Sequence, residues 1–293
     1  MTDHEWVDQH GNEIEDHDRG LRHDVLTLLD RRRALSILGA LGVAGVVGAC
    51  SSGSSPAVDA QGTAPASTGA TGTTGSGTLG TPSVDALTEV PDETAGPFPG
   101  DGSNGQNVLD DSGIVRSDIR GSFGSSSTVA GGVPLTIRIS VKDTATSQAM
   151  VGAAVYAWHC DRAGNYSMYS SGFEGENYLR GVQETDDTGT VTFTSIFPGC
   201  YPGRWPHVHF EVYGKVAEAV SSGPIVKTSQ LALPQAASEA VYATSGYESS
   251  VRNLGQLSLN TDNVFSDDGG VHQLATMSGN NSIGWTAHLT IGV

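Results

Sequence analysis

Alternation of apolar and polar residues in the second half of the chain predicts β-strands. Apolar residues occupy every second position over residues 135–141, which is the pattern of a strand with one buried face. The chain ends with the same alternation over residues 285–293. Runs rich in β-branched and aromatic residues lie between them at 154–158, 190–195 and 207–213, separated by turns of Gly, Asp and Asn.

These strands predict an all-β domain. Residues 186–189, Asp-Asp-Thr-Gly, predict a hairpin turn that leads into the strand at 190–195. No long stretch has a helical period, and only residues 238–254 suggest a short helix. Residues 84–293 are about 210 in number, enough for one sandwich or barrel. We therefore expect a single antiparallel β-sandwich domain over residues 84–293.

The first 50 residues predict an export signal. Three arginines at 31–33 precede the uncharged segment 34–49, whose 16 residues are fewer than the ~20 that span a bilayer. The arginines resemble a twin-arginine signal. The following Val-Gly-Ala-Cys at 47–50 resembles a lipoprotein cleavage site with Cys50 as the lipidated residue. An ordinary membrane anchor, or secretion with a chance cysteine, is the alternative.

A flexible linker is predicted to follow the signal. Residues 51–83 consist mainly of Ser, Gly, Thr, Ala and Pro, with Asp59 as the one charged residue. Such a segment buries too little apolar surface to fold. We expect it to tether the domain outside the cytoplasmic membrane, in contact with the membrane only through a lipid anchor, or to belong to a secreted protein.

Net charge argues against a nucleic-acid partner. The chain has 15 Lys and Arg against 32 Asp and Glu, a formal charge of −17. Phosphate binding requires a surplus of basic residues on some surface, and the one basic run lies in the predicted signal. We therefore expect no nucleic-acid partner.

Two histidines on a predicted strand suggest half of a metal site. His207 and His209 are two residues apart, so their side chains share one face, while Val208 and Phe210 point to the other. Imidazole is a general ligand of first-row metals. Two partly exposed histidines without a metal remain the alternative at this point.

Several motifs accompany this pair in a fixed order. They are Gly-Asn-Tyr at 164–166, Thr-Asp-Asp-Thr-Gly at 185–189, Pro-Gly-Cys-Tyr-Pro at 198–202 and Arg-Trp-Pro-His-Val-His at 204–209, with Glu-Thr-Ala-Gly-Pro at 93–97 and Arg-Ser-Asp-Ile at 116–119 upstream. In this order they resemble the intradiol ring-cleavage dioxygenases, the family of protocatechuate 3,4-dioxygenase and catechol 1,2-dioxygenase. The resemblance covers roughly residues 91–210, and the order is more specific than any single motif.

The resemblance implies an iron site. Fe(III) would be held by Tyr166, Tyr201, His207 and His209. Tyr201 would leave the iron and help to take up a proton when a catechol binds, and Arg204 would stabilise negative charge on the substrate. With O₂ as co-substrate the product would be a cis,cis-muconate-type diacid. The chain's remaining strand and loop tyrosines are expected to pack without a role in the site; these include Tyr156, Tyr169, Tyr178 and Tyr213.

Two other functions fit parts of the sequence. A non-catalytic, exported β-sandwich binding module could keep the fold and lack the iron. A zinc or copper cupin fits less well, because Tyr213 and Gly214 stand where that family has a glutamate after its His-x-His. The identity of the catechol and the formation of a homodimer are left open.

Cysteine parity suggests a disulfide. With Cys50 lipidated, Cys160 and Cys200 remain as an even pair in an exported protein. A bond between them would brace the two segments that carry Tyr166 and Tyr201. Two buried thiols are the alternative.

Overall fold

The structure, a computed structural model, describes residues 87–293. The predicted signal, its Cys50 and the linker at 51–83 lie outside these residues. The described part belongs to one compact unit. None of the helices within residues 87–293 is long and apolar enough to cross a membrane.

Strands dominate the described residues, and the helices are short. The strands are β1 (Pro134–Lys142), β2 (Ala154–Trp158), β3 (Arg180–Glu184), β4 (Thr190–Ile196), β5 (His207–Tyr213), β6 (Ile225–Ala232), β7 (Thr276–Asn280) and β8 (Gly284–Gly292); the helices are α1 (Val216–Ala219), α2 (Gln235–Tyr242), α3 (Glu248–Leu254) and a 3-10 helix (Leu259–Thr261). The all-β prediction is confirmed. Strands β3, β6 and β7 have weak alternation and were not predicted from the sequence.

The strands form two four-stranded sheets. Their orders are β4-β1-β8-β7 and β3-β2-β5-β6. Neighbouring strands are antiparallel with one exception, the parallel pair β1 and β8, in which Ile137 lies beside Ala287. Both partners alternate in the same way, so pairing them places the apolar residues of each strand on one face. The sheets are therefore mostly, and not purely, antiparallel.

One apolar cluster combines side chains from both sheets. Ile137 and Ile139 of β1 and Phe193 of β4 belong to the same cluster as Val208 and Phe210 of β5. This is the arrangement expected when two sheets bury their inner faces against each other.

The outer face of the second sheet is also buried. Tyr156 and Trp158 of β2 and Tyr213 of β5 form a second cluster with loop residues such as Val108 and Leu109. All seven residues of β5 are consequently buried. Side chains on this outer face of β5, among them His207 and His209, are held away from water by loops.

One of two local predictions needs correction. The turn at 186–189 forms, with Asp186 Oδ1 accepting the N–H of Thr188 at 2.8 Å, but it joins strands of different sheets because β3 pairs with β2 and β4 with β1. It is therefore not a hairpin. The short helix predicted within residues 238–254 is present as α3, and a second helix, α2, precedes it, with a break around Gly246, whose φ is +94°.

Candidate metal centre

Strand β5 places the two histidines side by side. Trp158 of β2 pairs with His209, and Ala232 of β6 pairs with His207, so both positions lie inside the sheet. Their Nε2 atoms are 3.0 Å apart. The indole of Trp158 stacks on the His209 ring with centroids 4.9 Å apart and an interplanar angle of 8°, which fixes the plane of this imidazole.

A tight turn after β2 supplies Tyr166. Asp161 Oδ1 accepts the N–H groups of Ala163 at 2.8 Å and Asn165 at 2.9 Å, which closes the turn. Gly164 has φ +93°, and a Cβ there would lie 3.0 Å from Cβ of Tyr201. A glycine is therefore required both by the backbone and by the close approach of the second tyrosine.

The segment after β4 supplies Tyr201 and is anchored to helix α3. The N–H of Cys200 donates to Ser250 Oγ at 2.9 Å, and its carbonyl accepts from Asn253 Nδ2 at 2.7 Å. Tyr166 is buried, whereas Tyr201 is partly exposed and is followed by exposed Pro202 and Gly203. The open side of the site therefore lies at Tyr201.

The four predicted ligands converge. The Tyr166 hydroxyl lies 3.5 Å from that of Tyr201 and 3.4 Å from His207 Nε2, and the Tyr201 hydroxyl lies 3.2 Å from the same nitrogen. His207 Nε2 is in turn 3.0 Å from that of His209. Donors held about 2.0 Å from one ion in tetrahedral geometry are about 3.3 Å apart, so these separations fit a common metal ion. We call these four residues the quartet.

Hydrogen bonding fixes the ligand nitrogen of one histidine. His207 Nδ1 lies 2.5 Å from the carbonyl oxygen of Trp205. A carbonyl only accepts, so Nδ1 carries the proton and Nε2 has the free lone pair, as metal-binding histidines require. The buried Nδ1 of His209 has no hydrogen-bond partner. Within residues 87–293 no three His, Cys, Asp or Glu side chains form a metal-binding group, so a metal here depends on the tyrosines.

Burial keeps the quartet neutral when no cation is bound. Desolvation raises the pKa of Tyr201 to about 12 despite the Arg204 charge, and raises the pKa of Tyr166 well above its usual value. Desolvation and then Arg204 lower the pKa of His207 to about 3, and desolvation and then the neighbouring His207 lower the pKa of His209 well below its usual value. The phenols need a nearby cation to ionise, and a trivalent metal provides one. Two phenolates and two neutral imidazoles are a donor set suited to Fe(III).

Arg204 is buried beside the quartet and held by two side chains. Its Nε donates to Asp262 Oδ2 at 3.0 Å, and its Nη2 donates to Gln230 Oε1 at 2.5 Å. The ion pair between Arg204 and Asp262 is therefore buried and is not a surface salt bridge. Burial opposes ionisation of Asp262, but Arg204 and the N–H of Trp205 outweigh burial and lower the pKa of this carboxyl. Asp262 and Gln230 were not predicted from the sequence, because they lie 58 and 26 residues from Arg204 and belong to no motif.

The upstream Glu-Thr-Ala-Gly-Pro motif also reaches the site. Gly96 has φ +72°, and a Cβ there would lie 3.3 Å from Cε1 of His209. The next aromatic residue, Phe98, packs on Tyr166 with ring centroids 4.8 Å apart. Residues 96–98 therefore form part of the wall around the quartet.

Other tyrosines pack as expected. Tyr156, Tyr178 and Tyr213 are buried. Tyr169 is partly buried, and its hydroxyl donates to Asn104 Oδ1 at 2.9 Å and accepts the Gly100 N–H at 2.8 Å. These hydroxyls do not share the contacts of the quartet.

The predicted disulfide is not present in the structure. Cys160 and Cys200 are both buried, free thiols. Their sulfurs contact different acceptors: Cys160 Sγ lies 3.5 Å from the Gly199 carbonyl, and Cys200 Sγ lies 3.5 Å from the Arg204 carbonyl. The two tyrosine-bearing segments are joined by packing and hydrogen bonds instead, for example from the Gly199 N–H to the Asp161 carbonyl at 2.9 Å.

Comparison with known proteins gives one family match. Residues 124–220 match the model of a family described as Dioxygenase. The matched segment is about a third of the chain and contains all four residues of the quartet and Arg204. No match was found among curated protein sequences.

Solved structures extend the likeness beyond that segment. An intradiol ring-cleavage dioxygenase from Tetranychus urticae is 26% identical, with 62% of this chain and 87% of that chain covered and a TM-score of 0.50. The dioxygenase Tetur07g02040 is 23% identical, with 70% and 94% covered and a TM-score of 0.55, a likeness of fold. The chain is therefore similar to a dioxygenase family over residues 124–220, the segment that contains the quartet, and it shares its fold with these solved dioxygenase structures.

Proposed function

We propose that the protein is a non-haem Fe(III) dioxygenase that cleaves a catechol-type ring between its hydroxyl-bearing carbons. O₂ is the second substrate, and a cis,cis-muconate-type diacid is the product. The observation that carries this proposal is the convergence on His207 Nε2 of the two phenol oxygens, at 3.4 and 3.2 Å, and of His209 Nε2, at 3.0 Å. Iron bound there would supply a Lewis-acidic and redox-active centre for the catecholate.

The two tyrosines have different roles in this proposal. Tyr166 is buried and packed under Phe98, so it is a fixed ligand. Tyr201 is partly exposed at the open side and is followed by exposed Gly203, so an entering catechol meets it first. Its hydroxyl oxygen is the group that gives way to the substrate and takes up a proton.

Arg204 provides a fixed positive charge. Its guanidinium is buried, and its charge acts on both Tyr166 and Tyr201. A preorganised cation in a site shielded from water stabilises negative charge more strongly than the same group in water. Arg204 would therefore stabilise the negative charge that develops on the substrate during the reaction, without having to reorganise.

The test combines metal content, colour and product. The full-length protein loaded with iron should show tyrosinate-to-iron charge transfer in the visible range, and should consume O₂ with catechol to give a diacid that contains both oxygen atoms. His209→Ala should lose iron and activity. Tyr169→Phe is the matched control, because its hydroxyl contacts Gly100 and Asn104 and should leave iron content unchanged.

Other outcomes separate the alternatives. A colourless protein that retains stoichiometric zinc after iron reconstitution would contradict the iron site. A yellow aldehyde-bearing product would contradict intradiol cleavage. An iron-free protein that binds catechols without O₂ uptake would support the non-catalytic binding module.

We also propose export by the twin-arginine route and lipidation at Cys50, on the sequence of residues 31–50. Fractionation tests both. Replacement of the arginines at 31–33 by lysine should retain the protein in the cytoplasm. Cys50→Ala should still be exported, but it should no longer be bound to the membrane. Membrane association of the Cys50→Ala protein would contradict the lipid anchor.

A further inference from the structure

Asp262 is a fully buried carboxylate directly after the 3-10 helix. Its Oδ2 accepts from Arg204 Nε at 3.0 Å and from the Trp205 N–H at 2.6 Å. Its Oδ1 accepts from the N–H groups of Val264 at 2.8 Å and Phe265 at 3.1 Å. In all four contacts a carboxylate oxygen accepts a hydrogen bond. Asp262 therefore connects residues 204–205 with residues 264–265.

The buried guanidinium of Arg204 needs the negative charge of Asp262 as its counter-charge. Arg204 is buried, and a buried guanidinium without a counter-charge is costly. Gln230 binds the other side of the guanidinium, and its own Nε2 is held by the Thr94 carbonyl at 2.9 Å. Arg204 is thus fixed between a carboxylate and an oriented amide, with little freedom to rotate.

We propose that Asp262 is a positioning residue for the ring-cleavage reaction, which holds the Arg204 guanidinium beside the quartet. This inference rests on the proposed function, because Arg204 matters to the rate only if negative charge develops on a substrate that reacts there. Asp262 lies outside the segment that matches the dioxygenase family, and it acts on the reaction through Arg204 without touching the quartet in any of these contacts.

A double-mutant cycle tests the inference. Asp262→Asn, Arg204→Gln and the double variant are prepared as full-length, iron-loaded proteins. In Asp262→Asn the guanidinium loses its charged partner, and a misplacement of about 1 Å costs about 100-fold in rate. We expect kcat for catechol to fall about 100-fold while KM changes by less than about threefold and the charge-transfer band stays in place. The double variant should have the kcat of Arg204→Gln, because residues that act as one unit are not additive.

Asp268→Asn is the matched control. It removes the same charge from an exposed carboxylate in the same segment, where Asp268 Oδ1 accepts the Gly270 N–H at 2.6 Å. Its kcat should equal that of the wild type. If Asp262→Asn lowers kcat by the same factor with and without Arg204, or loses iron together with activity, Asp262 only supports the fold and the inference is wrong.

Two further measurements keep the test decisive. If Asp262→Asn cannot be isolated, Asp262→Glu keeps the charge but displaces it by one methylene, and should lower kcat with iron retained; wild-type kcat would overturn the inference. If the wild type binds iron but does not turn over catechol, the proposed function fails separately. The visible spectrum of bound 4-nitrocatechol then decides: Asp262→Asn should reproduce the spectrum of Arg204→Gln, and a wild-type spectrum would overturn the inference.

Discussion

Replacement of Gly164 by alanine should damage the metal site more than the fold. At φ +93° an alanine would have to adopt a left-handed backbone, which lowers the free energy of unfolding by about 1–2 kcal/mol. The added methyl group would also lie 3.0 Å from Cβ of Tyr201, which is closer than ordinary contact, so Tyr201 must move by a few tenths of an ångström. Such a shift acts directly on the distance between the two phenol oxygens.

Gly172→Ala separates these two effects. Gly172 has φ +85°, and a Cβ there would have nothing within 4 Å. Alanine at this position is therefore destabilised by its backbone conformation alone. In a domain of about 200 residues 1 kcal/mol corresponds to about 2–4 °C, so each variant should lower the Tm of the iron-free protein by about 2–8 °C.

Iron binding should distinguish the two variants. Competition against a chelator should show weaker iron binding for Gly164→Ala than for Gly172→Ala, together with a displaced charge-transfer band. Calorimetry of the iron-free proteins gives the stability part of the comparison. Equal iron affinity and identical spectra would show that the contact between Gly164 and Tyr201 does not set the ligand geometry, and would refute this reasoning.

Three other properties can be predicted. Desolvation lowers the pKa of buried His159 to about 4, below its value in the unfolded chain. The contribution of the neutral imidazole to the free energy of unfolding is therefore complete above about pH 6.5 and is lost as the pH falls. Between pH 7 and 4 the wild type should lose about 3 kcal/mol more in urea unfolding than His159→Asn, and parallel curves would contradict this. Nε and Nη2 of Arg204 already donate to Asp262 and Gln230, so this guanidinium is not free to pair with a carboxylate of the substrate. The value of kcat/KM for 3,4-dihydroxybenzoate should therefore be at least about tenfold below that for catechol, and a preference for the acid would refute this. In a Cys50→Ser protein, Cys160 and Cys200 should react with a thiol reagent only after unfolding. If neither thiol reacted in the unfolded protein, the disulfide prediction would be correct instead.

The residues of the quartet could be predicted because their placement is local. The two histidines lie on one face of β5 by simple alternation, and their Nε2 atoms meet at 3.0 Å. Tyr166 follows a glycine turn, and Tyr201 follows the strand that precedes β5. Alternation also predicted the long strands β1 and β8, because each has one strictly apolar face.

The environment of the quartet could not be predicted, because it depends on packing between distant segments. No pattern connects Asp262 or Gln230 with Arg204, and the contact of Gly96 with His209 joins residues more than a hundred positions apart. The disulfide prediction used parity, which carries no information on where each sulfur points. Parallel pairing of β1 with β8 likewise brings together the first and the last strand.

Because the outer face of the second sheet is buried, metal binding at the quartet depends on the charge of the metal ion. The same desolvation that raises the pKa of Tyr166 and Tyr201 lowers the pKa of both histidines, so the metal-free site carries no charge of its own. The Arg204–Asp262 ion pair adds none either. Two phenolates therefore need compensation from the metal: a divalent ion would be neutralised by them, whereas a trivalent ion keeps one positive charge. In a site shielded from water that remaining charge favours an anionic ligand, and the catecholate of the proposed reaction is such a ligand.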